Sequence, residues 1–342
     1  TSFSKTEAYK QINKSSTSEH TSWKVVNKII KDKSLDIIQK GNYAYLRDIL
    51  KNMPAKDFFK YYSERSSYEN LPLLTEDGIV IPEIGLTEAL SKKQYVNSVP
   101  TIAGSNKDEV KLWLASAKYF VDLDYSFLGS IFRVPKVILN DKDAFNIFNS
   151  YRSRAWKIRG VDDPLRSLYI SGNDDLYAYR YDWDDHRRFI IADFKELIGA
   201  AHATEIPLLT GNNKLVGNYG FLIYPNGPSK RYTSKNMMKF WTNFAKNGKP
   251  GVSSNGVEWT KYNGKKNLPS SFMILDNRKN LKMHKNEFSF SSLAQDLYKE
   301  DAITELEKCV LLLQMLTYVG DDLYDNYIHD YPFFCTSIGV LI

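Results

Sequence analysis

The sequence predicts an α/β fold with a mostly parallel sheet flanked by helices, and three observations predict it. Val99-Pro-Thr-Ile-Ala103 and Leu176-Tyr-Ala-Tyr-Arg-Tyr-Asp-Trp183 are short apolar or aromatic runs, typical of strands buried on both faces. Apolar residues at helical spacing dominate the sequence around these two runs. Buried strands that alternate with helices are typical of parallel sheets. No repeat or low-complexity linker interrupts residues 1–342, so we expect them to belong to a single domain.

The N-terminal part of the chain is predicted to be helical over about the first 65 residues. The apolar residues that carry this spacing are Trp23, Val26, Ile30, Tyr45, Ile49 and Leu50. Met53-Pro54 is expected to end the second of these helices, since proline cannot continue one. From Leu71 the pattern predicts an extended segment with a turn at Asp77-Gly78.

The rest of the chain is predicted to be helical between Glu109 and Asp163, and again from an N-cap at Ser234 to a stop at Lys246-Asn-Gly-Lys-Pro250. Three further elements are expected, namely short extended pieces at Glu258–Tyr262 and Phe272–Leu275 and an amphipathic helix from Ile303 to Leu316. Only two core strands stand out, and two strands are not a stable parallel sheet. We therefore expect the remaining strands to come from elsewhere.

Composition excludes several classes of protein. Lys and Arg number 46 against 40 Asp and Glu, and the formal net charge of +6 is spread over interleaved signs. No basic stripe with interleaved aromatic residues indicates a nucleic-acid partner. No apolar segment has the length of a membrane span, and no motif indicates an organic cofactor or a metal. Cys309 and Cys335 could be bridged or free, so they leave the redox compartment open.

The first candidate site is Gly104-Ser-Asn-Lys-Asp-Glu109, directly after the strand that ends at Ala103. Functional groups collect at the carboxyl ends of strands in open α/β sheets, so these carboxylates could carry chemistry. The alternative is a solvated turn whose polar side chains cap the next helix.

The second candidate site is Gly199-Ala-Ala-His202-Ala-Thr-Glu205-Ile-Pro207, which follows the other predicted strand. Small residues before a histidine allow close backbone approach, and the imidazole could then act as a general base. The alternative is a packed, hydrogen-bonded histidine. Metal binding by His202 and Glu205 is disfavoured because no third ligand follows at the required spacing. We interpret His20, His186, His284 and His329 as surface or structural residues.

Taken together, the two candidate sites place an acid after one strand and a histidine after the next, the order of the last two triad members in an α/β-hydrolase. Five segments in series then resemble the type-B carboxylesterases, the family of cholinesterases and bacterial para-nitrobenzyl esterases. The segments are Asp77–Pro82, Val99–Glu109, Tyr177–Trp183, Leu197–Pro207 and Met238–Pro250. The resemblance covers most of residues 20–275 and implies the α/β-hydrolase fold.

In that family the last residue of an Asn-Lys-Asp-Glu segment is the triad acid and the histidine of a Gly-x-x-His segment is the base. The resemblance therefore implies Glu109 as the acid and His202 as the base, gives Asp108 no such role, and makes Glu205 a structural carboxylate. Val110 stands where the family often has glycine, and Thr210 where an aromatic residue usually precedes Gly211. Both are packing differences.

The sequence contains no Gly-x-Ser-x-Gly elbow and no His-Gly-Gly-Gly oxyanion loop. In family members both lie in the N-terminal half, so the resemblance implies that this chain is the C-terminal portion of one carboxylesterase domain. The serine and the first strands would belong to an N-terminal segment of the same protein, and the substrate would be a small carboxylic ester. The chain alone is expected to be inactive.

Two alternatives stay open. The family includes catalytically inactive proteins that bind or adhere through the same fold, although retention of both Glu109 and His202 argues against this class. A stand-alone fragment with a binding role is disfavoured, because half of a parallel sheet would expose an apolar edge. The family resemblance slightly favours a secreted or cell-envelope location.

Overall fold

A computed structural model describes residues 3–4, 22–35, 43–62, 75–125, 136–189, 192–213, 220–265, 268–286 and 289–316. The chain forms two compact units, residues 1–89 and 90–342, and each is described by itself. Compactness does not show that either unit folds alone, so the single domain expected for residues 1–342 stays a prediction.

The first unit is mainly helical in its described part, as the sequence predicts. It contains α1 (Ser22–Asp32), α2 (Tyr43–Asn52), α3 (Ala55–Phe59), a 3₁₀ turn (Lys60–Tyr62) and α4 (Leu86–Ala89), with a short parallel pair between β1 (Phe3–Ser4) and β2 (Thr75–Glu76). The second helix ends directly before Met53-Pro54, which confirms the predicted stop. The predicted turn is present, with the Asp77 carboxylate accepting hydrogen bonds from three successive backbone N–H groups. The side chain of Trp23 and residues 71–74 lie outside the described residues.

The second unit is built on a four-stranded sheet in the order β3–β6–β7–β8. These strands are β3 (Thr101–Asn106), β6 (Leu176–Tyr181), β7 (Ser270–Leu275) and β8 (Lys282–Asn286). Pairs β3–β6 and β6–β7 are parallel, and β7–β8 is antiparallel. The close approach of β3 to β6 requires glycine at position 104, because a Cβ there would lie 2.2 Å from the Tyr179 ring.

Helices cover both faces of this sheet. The described helices of this unit are α5 (Lys111–Leu114), α6 (Lys142–Lys157), a π-helical turn (Ile158–Asp162), α7 (Asp163–Ile170), α8 (Phe194–Leu197), α9 (Ile206–Thr210), α10 (Gly220–Ile223), α11 (Pro228–Asn247), α12 (Phe290–Lys299) and α13 (Glu305–Leu316). Side chains of α11, such as Met237 and Phe240, pack with Tyr181 on one face. Leu165 of α7 packs with Ala178 on the other face. The predicted α/β architecture with a mostly parallel sheet is confirmed.

Several local predictions differ from the structure. The first core strand spans Thr101–Asn106 and is only partly buried over its first four residues, rather than being a fully buried run that ends at Ala103. An antiparallel pair of β4 (Val121–Asp124) and β5 (Lys136–Leu139) lies within the segment predicted to be mainly helical. β4 alternates apolar and acidic residues, a strand period that the helical prediction passed over, whereas β5 has the sequence Lys-Val-Ile-Leu and shows no such period.

The C-terminal part holds further differences. Ser234 lies inside α11, which begins at Pro228, and its hydroxyl donates to the Leu208 carbonyl oxygen at 2.6 Å instead of capping the helix. The same helix ends at Asn247 with Gly248 in the left-handed conformation, which confirms the predicted stop. The extended piece expected at Glu258–Tyr262 forms only an isolated bridge between Val252 and Glu258.

Two of the strands expected from elsewhere come from this chain. β7 contains the predicted Phe272–Leu275 piece, and β8 was not predicted. The predicted helix between Ile303 and Leu316 is present as α13, the last helix of the described residues. Cys309 in this helix is disulfide-bonded, whereas Cys335 lies outside the described residues.

Candidate active site

Glu109 lies in the turn that follows β3, with its side chain directed back toward the end of that strand. One carboxylate oxygen, Oε1, accepts a hydrogen bond from the Asn106 backbone N–H at 2.7 Å. The other, Oε2, lies 2.7 Å from His202 Nδ1. The residue is only 4% exposed. Burial raises the pKa of Glu109 above its ordinary value, and the hydrogen bonds from Asn106 and His202 oppose that shift.

The loop that carries His202 is fastened to the Glu109 turn by its backbone. The His202 N–H donates to the Glu109 carbonyl oxygen at 3.2 Å. Asn106, at the end of β3, donates from Nδ2 to the Ala201 carbonyl oxygen at 2.7 Å. Both contacts join residues that are more than 90 positions apart in sequence. The two candidate segments predicted from the sequence therefore meet at the carboxyl edge of the sheet.

The imidazole of His202 is anchored at one nitrogen and open at the other. Because a carboxylate accepts hydrogen bonds, Nδ1 carries the proton that Glu109 receives. Nε2 forms no hydrogen bond with any of the described residues, and the His202 side chain is 50% exposed. The arrangement leaves Nε2 able to accept a proton from a group that approaches the exposed side.

Two tryptophans lie against the His202 ring. The imidazole centroid is 5.4 Å from that of Trp113 and 5.5 Å from that of Trp156. The two indoles are stacked on each other at 6.2 Å. They limit the movement of the imidazole on that side. Trp113 is 49% exposed, so it also presents apolar surface beside the ring. Neither tryptophan could be predicted as a site residue from the sequence, because the contact between them depends on how α5 and α6 pack.

Glu205 lies behind the base and does not touch it. Asn106 Nδ2 donates to Glu205 Oε2 at 2.5 Å as well as to Ala201. One asparagine thus links the strand of the acid, the loop of the base and the carboxylate that follows the base. The structural role that the resemblance implies for Glu205 stays a prediction. The described residues include no group of three His, Cys, Asp or Glu side chains that could hold a metal ion.

His186 is buried and structural. Its Nε2 lies 2.8 Å from the Gly199 carbonyl oxygen, at the start of the loop that carries His202. Trp183 and Tyr224 pack against the ring edge-on. Burial lowers the pKa of His186. The other histidine of the described region, His284, lies on β8 against Phe272, whereas His20 and His329 lie outside the described residues.

Comparisons with known proteins give a consistent result. Residues 160–291 match a family model described as the carboxylesterase family. Carboxylesterase 1E of Rattus norvegicus is 28% identical over 221 residues, covering 59% of this chain and 37% of that protein. Liver carboxylesterase 1F of Rattus norvegicus is 26% identical over 245 residues, covering 64% of this chain and 41% of that protein.

A solved structure of a PNB esterase is similar to 73% of this chain and to 50% of that chain, with 16% sequence identity and a TM-score of 0.43. The chain spans less than half the length of the curated relatives that it matches. No helix among the described residues is long and apolar enough to cross a membrane. His202 lies within the family match and Glu109 lies N-terminal to it. Residues 160–291 of this chain are therefore similar to the carboxylesterase family, and the chain resembles curated carboxylesterases over more than half of its length.

Proposed function

We propose that the protein hydrolyses carboxylic esters by a serine-esterase mechanism in which Glu109 is the acid and His202 the base of a triad. The observation that carries the proposal is the 2.7 Å contact between Glu109 Oε2 and His202 Nδ1. A buried carboxylate that accepts from one imidazole nitrogen selects the tautomer in which the other nitrogen is a free base. The similarity of residues 160–291 to the carboxylesterase family supports the reaction class.

In this mechanism His202 Nε2 removes the proton from a serine hydroxyl as the serine oxygen attacks the ester carbonyl carbon. The proton then passes from Nε2 to the alkoxy oxygen of the departing alcohol, leaving an acyl-enzyme. A water molecule then gives a proton to Nε2 as its oxygen attacks the acyl carbon, and Nε2 passes that proton to the serine oxygen as the bond to the acyl group breaks and the carboxylic acid leaves. Glu109 orients the imidazole and stabilises the imidazolium without taking its proton.

The nucleophile and the oxyanion donors would come from an N-terminal segment of the same protein. This chain contains no Gly-x-Ser-x-Gly sequence. Among the described strands β3 is at the edge of the sheet, with β6 on its only paired side. A further strand could pair with that edge and end near His202. Without the serine, turnover should fall by a factor on the order of a million, so this chain alone would be inactive.

The test uses the complete protein, including the N-terminal segment, with a fluorophosphonate probe and short nitrophenyl esters. We expect the probe to label a serine in that segment. His202→Ala should abolish most of the labelling and hydrolysis, and Glu109→Ala should lower kcat by on the order of 10⁴-fold, as expected for a triad acid. His284→Ala is the matched control, because this histidine lies in the same unit and contacts Phe272 rather than Glu109.

Three outcomes separate the alternatives. A complete, folded protein that neither reacts with the probe nor hydrolyses any ester would rule out the esterase and leave a binding protein. Near-full activity of the Glu109→Ala variant would show that the acid is assigned to the wrong residue. Equal losses in the His202 and His284 variants would point to a general loss of folding.

A further inference from the structure

We propose that Asp108 is a positioning residue that fixes the loop of the base against the turn of the acid. This inference rests on the proposed function, because it concerns how Glu109 and His202 come to face each other. The family resemblance gives Asp108 no role, and the residue is buried, with only 5% of its surface exposed. A buried carboxylate next to the triad acid needs a structural reason, since burying charge without partners is costly.

Both oxygens of Asp108 accept hydrogen bonds from other parts of the fold. Oδ1 accepts from Asn149 Nδ2 of α6 at 2.6 Å. Oδ2 accepts from the backbone N–H of Ala200, two residues before His202, at 2.9 Å. Lys111 Nζ is 3.9 Å from Oδ1 and is itself buried, so it offsets the charge. Asp108 therefore joins α6 to the loop that carries the base.

Backbone contacts continue this link on either side of Asp108. The Asp108 N–H donates to the Ala200 carbonyl oxygen at 3.0 Å, and the His202 N–H donates to the Glu109 carbonyl oxygen. Successive residues of the acid turn are thus paired with residues 200 and 202 of the base loop. A shift of Ala200 would move His202 relative to Glu109.

Gly199 shows how closely the two segments fit. Its φ of +54° lies in the left-handed region, and a Cβ at this position would lie 2.5 Å from Asp108 Oδ2. The Asp108 carboxylate thus fills the space beside the first residue of the base loop. Only a residue without a side chain leaves room for it.

The influence of Asp108 on the base passes through the backbone, because both of its oxygens are used by Asn149 and Ala200. Replacing it by alanine would leave the Ala200 N–H and the Asn149 amide buried without this acceptor. Asn149 cannot simply turn its amide to compensate in an Asp108→Asn variant, since its Oδ1 already accepts from Ser153 Oγ at 3.2 Å. The asparagine variant should therefore retain only one of the two contacts.

The experiment measures the Asp108→Ala and Asp108→Asn variants of the complete protein by two independent methods. Proton NMR follows the far-downfield resonance of the His202 Nδ1–H, which reports the bond to Glu109 whether or not any ester is hydrolysed. Ester kinetics separate kcat from KM. We expect the alanine variant to lose or broaden the resonance and to lower kcat by up to about a hundredfold with KM unchanged, the size expected for misplacement by about 1 Å. The asparagine variant should fall between it and the parent protein.

Asp162→Ala is the matched control. Asp162 is another buried carboxylate of the same unit, but it pairs with Lys157 at 2.7 Å. Its loss should reduce stability and leave the resonance and kcat of the folded fraction unchanged. The proposal is overturned if Asp108→Ala behaves like Asp162→Ala when both are compared at equal folded fractions.

If Asp108→Ala does not fold, Asp108→Asn decides, and an unchanged resonance and kcat in that variant would overturn the proposal. The two methods also separate this proposal from the proposed function. If the parent protein hydrolyses no ester but the Asp108 variants lose the His202 Nδ1–H resonance, the positioning role of Asp108 is supported and the esterase function is ruled out.

Discussion

At the scale of single residues, burial of Glu109 disfavours the negative charge of its carboxylate. Its carboxylate is buried, and the groups that favour its charge are the Asn106 N–H and the imidazole of His202. Burial outweighs them, so the pKa of Glu109 is raised above the ordinary value of 4.5. The folded state therefore binds a proton at Glu109 more readily than the unfolded chain does.

The first prediction concerns the pH dependence of stability. A raised pKa means that the contribution of Glu109 to stability is fully present below pH 4.5 and is lost as pH rises through the folded-state pKa. Glutamine is neutral throughout this range. We therefore expect the free energy of unfolding of the Glu109→Gln variant to increase, relative to the parent protein, as pH rises above 4.5. Urea unfolding at a series of pH values measures this difference.

His202 is bonded to Glu109, so the effect of the carboxylate is isolated by removing the imidazole. The pair of proteins is therefore compared a second time with His202→Ala in both, which removes the imidazole from the comparison. The trend should persist in that background. Parallel unfolding curves at all pH values in both backgrounds would show that the carboxylate is not desolvated as the structure indicates.

Glu109 and His202 could be proposed from the sequence because each follows a recognisable strand and because ordered motifs resemble one family. Their neighbours in the fold could not. Asn106 belongs to the quoted motif, but its double contact with Ala201 and Glu205 depends on a loop from far along the chain. Trp113 and Trp156 lie on helices whose packing is not encoded by local periodicity.

At the scale of elements, the segment between β6 and α9, which contains α8, positions the base through a series of specific contacts. His186, early in this segment, bonds to the Gly199 carbonyl oxygen through Nε2 at 2.8 Å. Asp193 caps α8 by accepting from the Glu196 N–H. Gly199 and Ala203 both have positive φ. The predicted polar loop is thus an ordered support for His202 in its described part.

The second prediction concerns His186. Burial lowers its pKa below the ordinary value of 6.5, so the unfolded chain binds a proton more readily than the folded protein does. Its contribution to stability is present above pH 6.5 and is lost as pH falls through the folded-state pKa. We expect His186→Gln, which can still donate to Gly199, to be less stable at neutral pH and to lose less stability on acidification. Thermal unfolding across this pH range measures the change.

His284→Gln is the control for this prediction. Burial also lowers the pKa of His284, which lies on β8 against Phe272. Its variant therefore removes a titrating histidine without removing a contact with the Gly199 carbonyl oxygen. An equal slope of stability against pH for the parent protein and His186→Gln would contradict the assignment of His186 as a buried neutral histidine.

Elements with a clear period or stop signal were predicted, and elements defined by long-range pairing were not. β6, α13 and the end of α11 follow from local sequence. β5 and β8 do not, because runs of four and five residues without a period of two cannot be told from loops until their partners are known. Ser234 was predicted to cap a helix because serine is a common N-cap residue. In the structure its hydroxyl bonds to the Leu208 carbonyl oxygen, a contact that local sequence does not indicate.

At the scale of the whole molecule, helices cover both faces of the sheet. In the described part of the chain, β3 pairs with β6 on one side and with no strand on the other. The backbone N–H groups of Thr101 and Lys107 donate to carbonyl oxygens at the two ends of β6. Successive residues of a strand direct their N–H groups to opposite sides. Ile102 and Gly104 therefore point their N–H groups away from β6, toward the side on which no described strand lies.

An unpaired strand edge is a site for pairing with another strand. The proposed N-terminal segment would place a parallel strand there and bring its serine to the carboxyl edge of the sheet, near His202. The sequence predicted the need for such a strand from the small number of core strands, but not its place, because sheet order is a property of the folded chain.

The last prediction follows from this edge and uses amide hydrogen exchange. In this chain alone we expect the Ile102 and Gly104 amides to exchange much faster than those of Thr101 and Lys107, which are bonded to β6. In the complete protein the Ile102 and Gly104 amides should become protected, while those of Thr101 and Lys107 change little. If Ile102 and Gly104 gain no protection in the complete protein, no strand pairs with this edge, and the serine must reach His202 by another route.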